Sequence, residues 1–232
     1  GTLNIITGKK GCGKSHLSKL LMASLVGYKA TVLIFDLNGE YGSIGMTQDG
    51  KRNFYYDKIY AFKPGQNFKV AINQLHLNVV LGILVNALHL PGTSAREFKR
   101  IWKQLKDQGR LTLADLHETI KNCNCNQHVR DALASRYFSL VNSGFFTDNL
   151  AEAGLLEESL LKSKDNGGAI VINLKNTGNI DRQIVVEYVL GKLVDSLQNW
   201  KLKAVFLFAE EAHLYLRETY WDDVVTRMRH FG

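Results

Sequence analysis

The chain has 232 residues, 45% of them hydrophobic, enough to build one α/β domain with a full core. No apolar run reaches membrane-spanning length, since the richest, Val79 to Leu90, is short, carries Asn86 and His89, and stops at Pro91. A formal net charge of +7 favours a polyanionic partner, and three cysteines, which cannot all pair, suit a reducing, cytoplasmic setting.

Leu3–Thr7 reads as a short buried strand, and with the chain opening on it no secretory leader is expected. "GKKGCGKS", Gly8 to Ser15, follows and fits G-x-x-x-x-G-K-[ST]. Behind it Leu17, Leu20, Leu21 and Leu25 recur at helical spacing, with Gly27 as a helix stop. Strand, glycine loop and helix form the context in which this motif holds phosphate. The glycines let successive backbone N–H groups turn toward an anion, and the helix adds its positive end. The expected nucleotide-binding residues are Gly8, Lys9, Lys10, Gly11, Cys12, Gly13, Lys14, Ser15 and His16. Lys14 would reach the β- and γ-phosphates of ATP, and Ser15 would offer its hydroxyl to Mg²⁺. Cys12 fills a free position of the motif and is expected to be a bystander.

Thr31–Phe35 is a second apolar strand, ending at "DLNGEY", Asp36 to Tyr41. A polar, glycine-bearing stretch leads to "IYAFKP" and "FKVAINQL", which read as short edge strands, Pro64 closing the first. Lys51 and Arg52 with Phe54, Tyr55 and Tyr56 read as a β edge with core aromatics. The middle of the chain is helical. Ser94–Glu97 is a capping box before an apolar face of Phe98, Ile101, Trp102 and Leu105. Arg96, Lys99, Arg100, Lys103 and Lys106 lie mostly off that face and read as a solvated surface. Thr112–Asp115 opens another helix; Val129, Leu133, Tyr137, Leu140 and Val141 mark a third, ending near Gly144. Cys123, Cys125 and His128, with His117 upstream, have a C-x-C spacing that departs from structural zinc sites.

Strand signals return at Ala169–Leu174, followed by a long helix from roughly Ile180 to Trp200 and a strand at Ala204–Phe208. The order predicts an α/β fold, a mainly parallel sheet flanked by helices, with a helical insertion at about residues 76–165 after the second strand. The last strand delivers Glu210 and Glu211 at its carboxyl end, where open α/β sheets place ligands. One carboxylate can hold Mg²⁺ through water and the next can polarise a water for attack on the γ-phosphate. Two adjacent acids on a chain with this glycine loop point to ATP hydrolysis, not binding alone. His213 beside them reads either as a link to a substrate loop or as a buried, hydrogen-bonded histidine.

These residues carry a family resemblance. "LIFDLNGEY" resembles the D-x-x-G-E-Y signature of the HerA/FtsK superfamily of ring ATPases, "EEAH" the Walker B of its HerA branch, and "RMRHFG", Arg227 to Gly232, the following G-R-x-x-G segment. The resemblance implies a RecA-like P-loop ATPase core. It implies a homo-oligomer, a hexameric ring that couples ATP hydrolysis to moving DNA, or sometimes protein, through a central channel, with a nuclease or other effector as partner. Carried over by position, Lys14 and Ser15 bind phosphate and Mg²⁺, Glu210 takes the metal side and Glu211 is the catalytic base. Asp36 and Glu40 lie at the site's edge, with a role in sensing the γ-phosphate. Arg229, then Arg227, would reach a neighbouring subunit's nucleotide. The chain departs from the pattern in having Glu210 for the commoner Asp, preceded by Ala209. The strand that normally lies between those of the P-loop and Walker B is not visible, nor is a barrel of the HerA kind, so residues 1–232 read as an ATPase core cut at both ends. The competing readings are a related ATPase of conjugation, secretion or virion packaging, a nucleotide-dependent assembly switch with little turnover, and a small-molecule P-loop kinase.

Overall fold

Thr31–Asp36 (β1) and Gly168–Asn173 (β5, elements being numbered along the whole chain) are apolar runs buried almost throughout, as strands covered on both faces are. They pair in parallel, Thr31 opposite Gly168 and Asp36 opposite Asn173. Ile59–Phe62 (β2) adds in parallel to the far side of β5, and Phe206–Ala209 (β6) to the far side of β1. Among the described residues the resulting sheet has four strands, in the order β2-β5-β1-β6. This is the parallel, helix-flanked sheet that the sequence predicts. The computed structural model describes residues 4–9, 11–154, 156–199, 201–202 and 204–215.

The sheet belongs to the first of two units, made of Gly1–Lys63, Leu155–Asn176 and Leu193–Gly232. Lys14–Gly27 (α1) lays Met22 and Val26 against Val32 and Ile34 of β1 and Ala169 and Val171 of β5. Burying each of these two helix side chains contributes roughly 1.5–3 kcal/mol. Leu156–Asn166 (α6) precedes β5, and the chain turns between them at Gly167, with φ +70. A Cβ at Gly167 would lie 2.5 Å from Lys29 Cα and 2.7 Å from the Val26 carbonyl oxygen. Only glycine fits that approach.

The second unit is Pro64–Gly154 with Thr177–Lys192. Val70–Ala71 (β3) and Phe146–Thr147 (β4) form a two-stranded parallel pair. Leu77–Gly82 (α2) runs on into a π turn over Ile83–Ala87. Gly92–Asp107 (α3), Leu113–Lys121 (α4) and Gln127–Asn142 (α5) follow. Phe98, Ile101, Trp102 and Leu105 of α3, Leu116 and Ile120 of α4, and Leu133, Tyr137 and Leu140 of α5 are all buried. Thr112 caps α4: its hydroxyl accepts the Asp115 N–H at 3.0 Å and donates to the Asp115 carboxylate at 2.9 Å. The Tyr137 hydroxyl donates to the Leu113 carbonyl. Phe68 and Phe145 meet edge-on at 5.0 Å, and Tyr188, on the helix Asn179–Gln198 (α7), lies 5.3 Å from Phe145. Such aromatic contacts add to simple area burial.

Three local expectations are corrected. Residues 4–7 form no strand, and Ile5 is 75% exposed; Leu3 lies outside the described residues. A strand persists only beside a partner, and among the described residues none pairs with this segment. The box Ser94–Glu97 does not open its helix. α3 begins at Gly92 with Pro91 as N-cap, whose carbonyl accepts the Ala95 N–H at 2.8 Å. Pro91 has no N–H to leave unpaired there, and Ser94 is instead buried with its hydroxyl 3.4 Å from the Val129 carbonyl. "FKVAINQL" is strand only at Val70–Ala71, turning at once into a 3-10 helix, Ile72–Gln74.

Candidate nucleotide site

The glycine loop has the backbone its composition calls for. Gly11 and Gly13 take left-handed conformations, φ +82 and +89, which side-chain-bearing residues resist. Lys14 is the first residue of α1, and its Nζ donates to the carbonyls of Gly8 at 2.9 Å and Lys9 at 3.1 Å. The lysine thus lies back over the loop it follows. Cys12 is exposed, with its sulfur beside Gly8. His16 is exposed, and Lys10 lies outside the described residues.

The loop after β1 supplies the second wall. Asp36 is fully buried, and its carboxylate accepts the N–H groups of Gly39 at 2.7 Å, Glu40 at 3.0 Å and Tyr41 at 3.0 Å. Its charge is therefore used to fold the "DLNGEY" loop on itself. Glu40 pairs with Lys19 of α1 at 2.5 Å. Tyr41 is fully buried, and its hydroxyl donates to Glu210 Oε1 at 3.1 Å. Asn38 Nδ2 donates to Glu210 Oε2 at 3.4 Å.

Parallel pairing of β1 and β6 brings the acids to this loop. Phe35 lies opposite Ala209, and the Glu210 N–H donates to the Phe35 carbonyl at 3.3 Å. One face of α1 then meets both: Lys19 holds Glu40 at 2.5 Å, while Ser15 lies near Glu210 and Ser18 near Tyr41. These three positions share a face because they are three and four residues apart. Burial pushes the Glu210 carboxyl above its ordinary value, and the charges of Asp36 and Glu40 add to the rise, against the hydrogen bond from Tyr41. The Tyr41 phenol is pushed up as well, by burial first and then by the Glu210 charge.

Glu211 follows with φ 45 and ψ 43, a left-handed backbone on a non-glycine residue. Its side chain is half exposed, 3.7 Å from His213 Nδ1, and His213 is exposed too. The alternative of a buried histidine at 213 is therefore set aside. Tyr215 closes the turn: its hydroxyl donates to the Glu210 carbonyl at 2.8 Å, and its ring packs edge-on to Phe35 at 5.9 Å. Arg227 and Arg229 lie outside the described residues.

Of the residues expected at the site, the structure brings Ser15 and Glu210 together, with Lys14 and Glu211 one residue away on each side. A hydroxyl beside a carboxylate is a hard oxygen pair that fits Mg²⁺, which keeps most of its waters and takes few protein ligands. Tyr41, Asn38 and Lys19 were missed as partners of the acids. The signal that could have found two of them is the D-x-x-G-E-Y loop itself, which carries Asn38 and Tyr41.

Away from this site, the sulfurs of Cys123 and Cys125 lie close together and Cys12 is exposed. The two sulfurs lie with the Glu97 carboxylate within 4.8 Å of one another, and His117 and His128 stand outside that group. No described helix is long and apolar enough to cross a membrane.

Several solved structures share the fold. The bacterial conjugative coupling protein TrwB, in an unbound form, superposes with a TM-score of 0.64 at 16% identity, covering 97% of this chain and 58% of that one. TrwB in complex with the non-hydrolysable ATP analogue ADPNP gives 0.62 at 16% identity, covering 97% and 60%. Its complex with the GTP analogue GDPNP gives 0.63 at 16% identity and the same coverage. The chain thus spans less than two thirds of these proteins. No curated protein matches it. Residues 4–193, which hold the glycine loop, α1 and the "DLNGEY" loop and end ahead of Glu210, match the family described as the central domain of the helicase HerA, and the chain belongs to that family.

Proposed function

We propose that this chain is the ATP-hydrolysing core of a ring motor that moves DNA through a central channel, working in the cytoplasm as a homohexamer with a nuclease or other effector. The observation that carries the reading is the delivery of Glu210, at the carboxyl end of β6, to the Asp36–Tyr41 loop, which Lys19 ties to α1 behind a left-handed glycine loop. Glycine loop, α1 and the acid-bearing end of β6 supply the chemical groups a triphosphate would need.

Each residue then has a role. The backbone N–H groups of Gly8–Ser15 cradle the phosphates, and Lys14 leaves the Gly8 and Lys9 carbonyls to contact the β- and γ-oxygens. Ser15 and Glu210 would hold Mg²⁺, which when bound neutralises charge on the phosphates. Glu211, turned toward solvent, accepts the proton of the attacking water. Glu40, held by Lys19, responds to the γ-phosphate through the loop it shares with Tyr41 and Asn38. Arg229 reaches a neighbouring subunit's nucleotide, as the resemblance of its segment implies. The family membership and the net charge of +7 support DNA as the polymer moved.

Turnover by the purified chain, with and without DNA, tests the reading. Glu211→Gln should keep ATP binding and lose roughly 10²–10⁴-fold in turnover, whereas Lys14→Ala should weaken binding and turnover together. DNA should stimulate the unaltered chain, and its binding should weaken steeply with salt. Nucleotide binding without turnover, indifferent to DNA, would favour an assembly switch.

A further inference from the structure

Glu210 is long for its place. An aspartate would carry its carboxylate on one rotatable bond fewer, and fixing each extra torsion costs rotamer entropy. The structure supplies the donors that fix it. Tyr41 donates to Oε1 at 3.1 Å and Asn38 to Oε2 at 3.4 Å, so each carboxylate oxygen has a donor from one loop. That loop is itself anchored. The Tyr41 N–H is bonded to Asp36 at 3.0 Å, its ring is fully buried 5.9 Å from Lys19 Nζ, and Lys19 ties the neighbouring Glu40 to α1 at 2.5 Å. Each carboxylate oxygen retains lone-pair capacity beyond one such bond, so the donors orient the group without filling it. A phenylalanine would occupy the same space at position 41; what the tyrosine adds is a hydroxyl aimed at this acid.

We infer that Tyr41, assisted by Asn38, is a positioning residue that sets the Glu210 carboxylate for binding the metal–nucleotide complex. The inference rests on the ATPase reading above and adds the residues that make a glutamate serve in the metal-side position.

The test is equilibrium binding of a fluorescent non-hydrolysable ATP analogue to the full chain, with Mg²⁺ and without it. Tyr41→Phe should weaken the Mg²⁺-dependent affinity about tenfold, the loss of one hydrogen bond to an ionised group, and leave the metal-free affinity within about twofold. In a Glu210→Asp background the shorter carboxylate no longer meets the tyrosine hydroxyl, so the same change should cost little more. Equal losses in both backgrounds, or losses that ignore Mg²⁺, would make Tyr41 a packing residue and overturn the inference. Should Tyr41→Phe fail to fold, exposed Asn38→Ala decides: a Mg²⁺-dependent loss supports the inference, and unchanged binding overturns it. If the unaltered chain binds the analogue no better with Mg²⁺, the ATPase reading falls first, which separates the two failures.

Discussion

Burial and ionisation oppose each other at Glu210, whose carboxyl is pushed up chiefly by loss of water and further by the nearby charges of Asp36 and Glu40. A raised pKa means that the folded chain holds this proton more firmly than the unfolded chain does. Stability from this group is therefore present below the ordinary carboxylate range and declines as pH rises through the raised value. Glu210→Gln removes the penalty, so it should melt higher than the unaltered chain near neutral pH, by about 2–4 °C for each kcal/mol relieved in a chain of this size. The gain should vanish in melts run below the ordinary carboxylate range; an equal gain at both pH values would mean that burial of charge is not its cause. At this scale the candidate residues came from the sequence, because phosphate binding and water activation demand particular side chains, proposed at Gly8–Ser15 and Glu210–Glu211. Their supporting contacts did not. Tyr41 and Asn38 lie 169 and 172 residues from Glu210 along the chain, a proximity that only the completed sheet creates.

Apolar periodicity found α3 because burial selects one face of it, as Phe98, Ile101, Trp102 and Leu105 show, whereas in α1 the periodic Leu17, Leu20 and Leu21 are exposed and Met22 and Val26 are buried. It did not find where α3 begins. Ser94–Glu97 has the composition of a cap, but Pro91 three residues earlier already ends the preceding segment and accepts the first helical bond. Strand expectations fared according to their neighbours: β1 and β5 are apolar runs that hold each other, while residues 4–7, with Ile5 and Ile6, have no described partner. Turns were the least legible. Gly167 looks like one of 20 glycines in the sequence, and only the approach of Lys29 makes it irreplaceable. Gly167→Ala must either push Lys29 and Val26 aside or leave its left-handed φ of +70, and should cost roughly 1–3 kcal/mol in urea unfolding. An unchanged midpoint would show that the α1–β1 turn yields easily.

For the whole molecule, sequence order gave the fold class but not the sheet order, since the pairing of β1 with β5 joins residues 137 apart, Thr31 with Gly168. The proposed ring adds a layer that no single chain contains. If Arg229 acts across a subunit boundary, Arg229→Ala subunits mixed with Glu211→Gln subunits should recover turnover that neither has alone, because some interfaces then join an intact base to an intact arginine. Mixtures that stay inactive, although both variants assemble, would confine the arginine to its own subunit or remove it from the reaction. One local feature bears on any attempt to improve the protein. Glu211 holds a backbone of φ 45 and ψ 43 at a cost of roughly 1–2 kcal/mol that glycine would not bear. With Glu211 as the proposed base, folding and turnover would rank the same substitution in opposite order. A thermostability screen of this chain should recover Glu211→Gly among its winners, and an ATPase assay of that winner should find turnover gone.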